Sequence, residues 1–214
     1  MLSDRKSNRM ANDLLYDNSR FSARARHNAE SLGFHKQIVE QMKRLRNYLP
    51  VHERFIRYLG DPQGKQVLEI GGDGLYTKFL QKHGAKATAF EINPRTIQIL
   101  KGLRIKRIVQ GDARQQLPFA DCSLDGFVSS RVLFSHLGTF EGGATHEQSV
   151  RTFADLFKLL RPGGIGLVYE CYDYQEELEK VRQIGFEVLE NGRSINRDIG
   201  FGAPNLLVLR KPLK

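Results

Sequence analysis

Apolar residues recur along the chain with two kinds of spacing, and the change between them divides it. From Phe34 onward, Ile38, Met42, Leu45 and Leu49 fall at steps of four, three and four, one stripe of an amphipathic helix that Pro50 ends. A second short helix can start from Pro50 and run through Phe55, Ile56 and Leu59 to Gly60. Glu40 with Arg44, and Glu53 with Arg57, stand four apart in the order that supports these helices. After Asp61-Pro62-Gln63-Gly64 the pattern becomes short apolar runs separated by helical periods. Strands are predicted at Val67–Ile70, Ala87–Phe90, Arg107–Gln110, Leu124–Ser129 and Ile165–Tyr169. Helices are predicted from Tyr76 to His83 and from Asn93-Pro94 through Leu100. Another follows the capping-box pair Thr145 and Gln148, with Val150, Phe153, Leu156, Phe157 and Leu160 on one face. Arg161-Pro162-Gly163-Gly164 reads as the turn into the fifth strand, and a helix over Gln175–Ile184 with strands at Phe186–Leu189 and Leu206–Leu209 ends the series.

Strands alternating with helices at this spacing imply right-handed crossovers and a parallel sheet covered on both faces. The predicted fold is therefore α/β, a doubly wound, mostly parallel sheet over residues 61–214 preceded by an N-terminal arm and helical extension over residues 1–60. At 214 residues and 40% hydrophobic content the chain can bury one sizeable core. No apolar run approaches the roughly 20 residues that cross a bilayer, which excludes a helical membrane span. The start, Met1-Leu2-Ser3-Asp4-Arg5-Lys6, lacks the apolar core of a secretion signal, and Cys122 and Cys171 are the sole cysteines, so a cytoplasmic protein with reduced thiols is expected. No histidine pairs with either cysteine at ligand spacing, so no metal is expected. Charge alters the picture in one respect. Residues 1–60 hold 12 Lys or Arg against 6 Asp or Glu, net +6, leaving +3 of the total +9 for the rest. Such a segment suits a nucleic-acid or anionic-membrane surface, or simply solvated helix faces.

In a sheet of this kind ligands bind beyond the C-terminal strand ends. The first strand ends in Glu69-Ile70-Gly71-Gly72-Asp73-Gly74, a glycine turn that lets a ligand lie against backbone. The second ends in Glu91, 17 residues beyond Gly74, and the third in Gly111-Asp112-Ala113. Recurrence at three consecutive strand ends makes coincidence a poor explanation.

The stretches VLEIGGDGLYTKFL, AFEINP, VQGDARQQLPFADCSLDGFVSS and LFKLLRPGGIGLVYE resemble class I S-adenosylmethionine-dependent methyltransferases over roughly residues 65 to 210. The resemblance implies a seven-stranded sheet whose last strand is antiparallel. It also implies a cofactor, S-adenosylmethionine, held by Glu69, Gly71, Gly72, Gly74, Glu91, Ile92, Asp112, Ala113 and Ser129. By position, the glycines would face the methionine and ribose part and Glu91 the ribose hydroxyls. Asp112 with Ala113 would address the adenine edge, and Ser129 or Ser130 the methionine end. The family alternates its glycines after the acidic residue, whereas the alternate positions after Glu69 are Gly71, Asp73 and Leu75; shortening the loop by one residue restores a match at Gly71, Gly72 and Gly74.

Methyl transfer from a sulfonium needs orientation, exclusion of water and, for weak nucleophiles, a base. His136, just past the fourth strand, is the first candidate base and Glu170, after the fifth, the second; against each stands the plainer reading of a residue with no chemical role. Tyr16, Phe21, Arg24, His27 and Phe34 are candidates for a lid over the acceptor. The expected acceptor is a small or medium-sized molecule. RNA is the rival, held by the basic N-terminal segment and Lys101, Arg104, Lys106 and Arg107, and a methyltransferase-like scaffold without activity is the alternative outside catalysis. Ser129-Ser130-Arg131-Val132 stands where amino-group methyltransferases of bases carry an Asn-or-Asp-Pro-Pro-aromatic motif, which disfavours that chemistry. Cys171 reads as a small core residue rather than a nucleophile.

Overall fold

The computed structural model describes residues 51–72, 74–130, 132–133, 146–170, 175–193 and 205–213. Seven strands form one sheet: β1 (Gln66–Ile70), β2 (Lys86–Glu91), β3 (Ile108–Gln110), β4 (Leu124–Ser130), β5 (Leu160–Glu170), β6 (Glu187–Arg193) and β7 (Asn205–Arg210). Their order is β3-β2-β1-β4-β5-β7-β6. Neighbours from β3 to β5 run parallel, and β7 runs antiparallel to both β5 and β6. The chain leaves β1 toward β2 and β3, then returns to the other side of β1 as β4. That reversal opens a crevice beyond the C-terminal ends of the central strands.

The described helices are α1 (residues 51–59), α2 (Leu75–Lys82), α3 (Pro94–Gly102), α4 (His146–Leu159) and α5 (Gln175–Ile184). Alternate strand residues feed separate cores because successive side chains point to opposite faces. Leu68, Ile70, Phe127 and Val168 pack with Phe153 and Leu156 of α4 and Val181 of α5. Val67, Val128 and Leu167 pack with Phe55 and Leu59 of α1 and Phe79 and Leu80 of α2. Ala89 lies under Ile99 and Leu100 of α3. Both faces are thus covered, which is why the central strands read as near-continuous apolar runs.

Two elements differ from the sequence reading. The helix α4 stops at Leu159 and β5 starts at Leu160, so the Arg-Pro-Gly-Gly segment expected to be a turn is part of the strand. Gly163, at φ 79°, lets the backbone deviate, and the Gly163 amide to Lys211 carbonyl (2.8 Å) and Lys211 amide to Gly164 carbonyl (3.0 Å) bonds tie it to the segment after β7. A register shift between Leu124 and Gly126 absorbs the irregularity. The strand β6 extends past Leu189 to Arg193 because Glu190 to Arg193 still pair with β7. The arm and the helix expected before Pro50, with the lid candidates Tyr16, Phe21, Arg24, His27 and Phe34, lie outside the described residues.

Candidate functional site

Each glycine of the first strand end is required by a different neighbour. Gly71 has φ 62°, and its amide donates to the Phe90 carbonyl at 2.8 Å. A Cβ there would stand 2.6 Å from Cγ2 of Val132. A Cβ on Gly72 would stand 2.0 Å from Oε1 of Glu69, whose side chain folds beneath the loop. Glu69 is buried, and its Oε2 accepts from the Thr77 amide at 2.8 Å. A carboxylate thereby meets one of the unpaired donors in the first turn of α2, where the helix dipole also favours negative charge. Gly74 caps α2 at φ 79°, and a Cβ on it would lie 2.3 Å from Leu100 of α3.

At the end of β2, Glu91 is buried and its Oε1 accepts from the Asn93 amide at 2.8 Å. Asn93 in turn caps α3, its Oδ1 accepting from the Arg95 amide at 2.9 Å, with Pro94 at the first helical position. Ile92 beside it is 49% exposed; among the described residues only Leu213 is another large apolar side chain so open to water.

At the end of β3, the Gly111 amide donates to the Glu91 carbonyl at 3.1 Å, and a Cβ on Gly111 would stand 2.5 Å from Cζ of Phe90. Asp112 receives its neighbour but one: Oδ1 accepts from the Arg114 amide and from Nε, both at 2.9 Å, and Oδ2 accepts from Nη2 at 2.7 Å. This guanidinium holds the Asp112 carboxyl below the usual carboxylate range, against the opposing effect of burial. The Ala113 carbonyl is 2.8 Å from the Thr152 hydroxyl, which also reaches the Gln148 carbonyl at 2.9 Å, so α4 braces this turn.

The three ends enclose a cleft of about 160 Å³, bounded by Ile70, Gly71, Phe90, Ile92, the turn from Gly111 to Arg114, and Val132. Apolar walls with carboxylates at two adjacent strand ends suit a nucleoside, since the carboxylates can accept from hydroxyls and an exocyclic amine.

Of the residues read from sequence, Gly71, Ile92, Asp112 and Ala113 line this cleft. Glu69, Gly72 and Gly74 shape the loop, and Glu91 closes β2 beside it. Ser129 is fully buried near the end of β4, opposite Ile70 in register, and its hydroxyl has no hydrogen-bond partner. It is absent from the cleft lining. His136 and Cys171 lie outside the described residues. Glu170 ends β5 with its backbone opposite Asn205, and its side chain is likewise outside them. Sequence reasoning missed Arg114, Val132 and Thr152. A cation two residues after Asp112 in a turn was the available signal for the first; nothing local marks the other two.

The family described as methyltransferase domain matches residues 68–168. The sterol 24-C-methyltransferase of Schizosaccharomyces pombe is 24% identical over 169 residues, 73% of this chain and 39% of that protein. The demethylmenaquinone methyltransferase of Tropheryma whipplei is 29% identical over 117 residues, 53% of this chain and 45% of that protein. The chain thus spans less than half the length of these curated relatives. Among solved structures, Burkholderia thailandensis 1,6-didemethyltoxoflavin-N1-methyltransferase, with bound 1,6-didemethyltoxoflavin and S-adenosylhomocysteine, has a TM-score of 0.62 at 17% identity, covering 86% of this chain and 87% of that one. At such identity the likeness is one of fold.

Proposed function

We propose that this chain, which belongs to the class I S-adenosylmethionine-dependent methyltransferases, moves a methyl group from that cofactor to an oxygen, nitrogen or carbon atom of a small or medium-sized acceptor. The observation that carries the reading is the convergence of Gly71, Ile92 and Asp112, from three successive strand ends, on one cleft. Glu91 would hold the ribose hydroxyls, Ile92 would cover the adenine face, and Asp112 with Ala113 would meet the adenine edge. Asp112, kept ionised by Arg114, is an acceptor only, which matches an exocyclic amine. The glycine at 71 leaves backbone open to the ligand where any side chain would strike Val132.

When bound, the cofactor supplies an electrophilic methyl on a sulfonium, so the protein's part is orientation, exclusion of water and a base where the acceptor must lose a proton. His136, which follows β4, is the first choice for that base and Glu170, the last residue of β5, the second; the C-terminal ends of both strands face the crevice. Residues 1–60 would serve the acceptor side and residues 61–214 the cofactor. A small acceptor is supported by the relatives, which are named for a sterol and for demethylmenaquinone. RNA as acceptor is less well supported: Lys101, Arg104, Lys106 and Arg107 sit near the N-terminal ends of β2 and β3, at the end of the sheet away from the cleft.

Calorimetry with S-adenosylhomocysteine tests the reading. Saturable one-site binding is expected, and Glu91→Ala should weaken it by about 1.5–3 kcal/mol, roughly 10- to 150-fold, through lost charge-assisted hydrogen bonds. Wild-type protein that takes up no heat at high ligand concentration would remove the assignment and leave a methyltransferase-like scaffold.

A further inference from the structure

Charge is distributed unequally over the described residues. Between Gly74 and Gln110 there are eight lysines and arginines and one acid, Glu91, which is buried at the end of β2. Lys86, Lys101, Arg104, Lys106 and Arg107 are exposed, and among the described residues none of their side chains enters an ion pair or a hydrogen bond. Elsewhere in the fold cations meet acids: Arg54 with Glu190 and Arg161 with Asp125 at 2.8 Å, and Arg210 with Glu187 at 2.5 Å.

The five unpaired cations belong to one end of the sheet. Lys86 opens β2, Arg107 precedes the edge strand β3, and Lys101 lies in the last turn of α3. The Lys106 amide donates to the Gln81 side chain of α2 at 3.2 Å, which places it against the same end. Arg104 has φ 58°, a left-handed position after α3 where glycine is usual. Burial first, and then the nearness of Arg104 and Lys106, lower the pKa of half-buried Lys78 in α2. Like charges are therefore gathered, at a backbone conformation unfavourable to arginine, and among the described residues no acid pairs with Lys86, Lys101, Arg104, Lys106 or Arg107. The helix α3 runs from the cleft end at Pro94 to Gly102, roughly 13 Å at 1.5 Å per residue, so this face is a helix length from the cofactor cleft.

We propose that this face is an anchoring surface for the phosphate backbone of double-helical nucleic acid, separate from the methyl-transfer cleft. Its chemistry selects that occupant. Among the described residues the large, well-exposed apolar side chains, Ile92 and Leu213, lie at the cleft mouth and beside Gly163, and the His83 ring at the end of α2 is packed on Phe79, so the described part of this face offers no exposed apolar centre for a protein partner and no open ring on which unpaired bases could stack. A bilayer docked here would turn the cleft away from any lipophilic acceptor. Cations alone read phosphates without sequence or sugar discrimination, so RNA and DNA duplexes should bind within a few-fold of one another.

The test is fluorescence anisotropy of the full chain with a 20-base-pair RNA duplex, the same DNA duplex, and vesicles holding 30% phosphatidylserine, across 50 to 200 mM salt. Replacing Lys101, Arg104, Lys106 and Arg107 together by Gln should flatten the salt slope by about 3.6, so that the wild-type affinity falls about 150-fold further over that range than the variant's. Affinity for S-adenosylhomocysteine should stay within about twofold, since none of the four lines the cleft. Each single substitution should remove about 0.9 from the slope, which keeps the test valid should the quadruple variant fold poorly. Unchanged slope in the folded variants would assign duplex binding to the basic N-terminal segment and overturn the proposal. So would a wild type that ignores both duplexes at 50 mM salt, or that binds only vesicles.

Discussion

Acid should loosen this protein through imidazoles whose pKa burial lowers, His52 above all. His52 of α1 is 1% exposed, edge-on to Tyr76 with ring centroids 3.9 Å apart and tilted over Phe79 at 4.9 Å, and neither ring nitrogen has a hydrogen-bond partner. Burial pushes its pKa from 6.5 down to about 3. The unfolded chain therefore takes up a proton as pH falls below 6.5 while the folded chain refuses it until about 3, and stability is lost through that window. At pH 5 the unfolded imidazole is about 1.5 units below its pKa, which at 1.36 kcal/mol per unit gives a loss of about 2 kcal/mol relative to pH 7.5. Against a typical total of about 5–15 kcal/mol this is a large share. His83, with its ring centroid 4.6 Å from that of Phe79, is also lowered, by burial and then by Lys82, and adds in the same direction. The assay is urea unfolding of wild type and His52→Phe at both pH values. The variant should be less sensitive to acid by about 2 kcal/mol, whatever its absolute stability. Equal acid sensitivity in the two proteins would refute the reasoning. Cofactor affinity of the folded chain should stay constant over this window, because folded His52 remains neutral down to about pH 3.

Three further outcomes are expected. Gly72→Ala must drive the Glu69 carboxylate from its place, 2.0 Å from the new Cβ, and strip the Thr77 amide of its acceptor; thermal unfolding should report a loss of about 1.5–3 kcal/mol, with cofactor binding weakened further. Thr152→Val leaves the Ala113 carbonyl without its hydroxyl donor and should cost about 1 kcal/mol in denaturant unfolding, with a few-fold weaker affinity for S-adenosylhomocysteine in calorimetry. If the acceptor must lose a proton, His136→Ala should lower turnover by roughly 10²–10⁴-fold at nearly constant cofactor affinity, and full activity across pH would take His136 out of the mechanism.

The central strands were legible because burial on both faces leaves continuous apolar runs such as Val67-Leu68 and Phe127-Val128. The strand ends were legible because glycines and acids interrupt those runs in a fixed order. What stayed hidden depends on where side chains turn once the chain is folded. Nothing near Glu69 says that its carboxylate lies under Gly72 rather than toward a ligand, and Thr152 reaches Ala113 from 39 residues away. The bond from Arg114 to Asp112 needs the turn that brings the two side chains together, and that turn is set by the fold. The polar run Glu190-Asn191-Gly192-Arg193 concealed the second half of β6, since an edge strand needs no apolar alternation to pair with β7.

The place of β7 between β5 and β6 has a consequence for synthesis. Partners in the β5–β7 ladder, from Glu170 with Asn205 to Ile165 with Arg210, are 35 to 45 residues apart, and β6 pairs with β7 rather than with β5. A nascent chain that has reached Arg193 therefore holds two unfinished edges at once, one of them bearing the buried apolar residues Leu167, Val168 and Tyr169. Both edges close with the arrival of six residues, Asn205–Arg210. Until then the parallel core presents a template for strands of other chains. Non-local closure of this kind is slow, so aggregation during expression should depend on how soon that last segment leaves the ribosome.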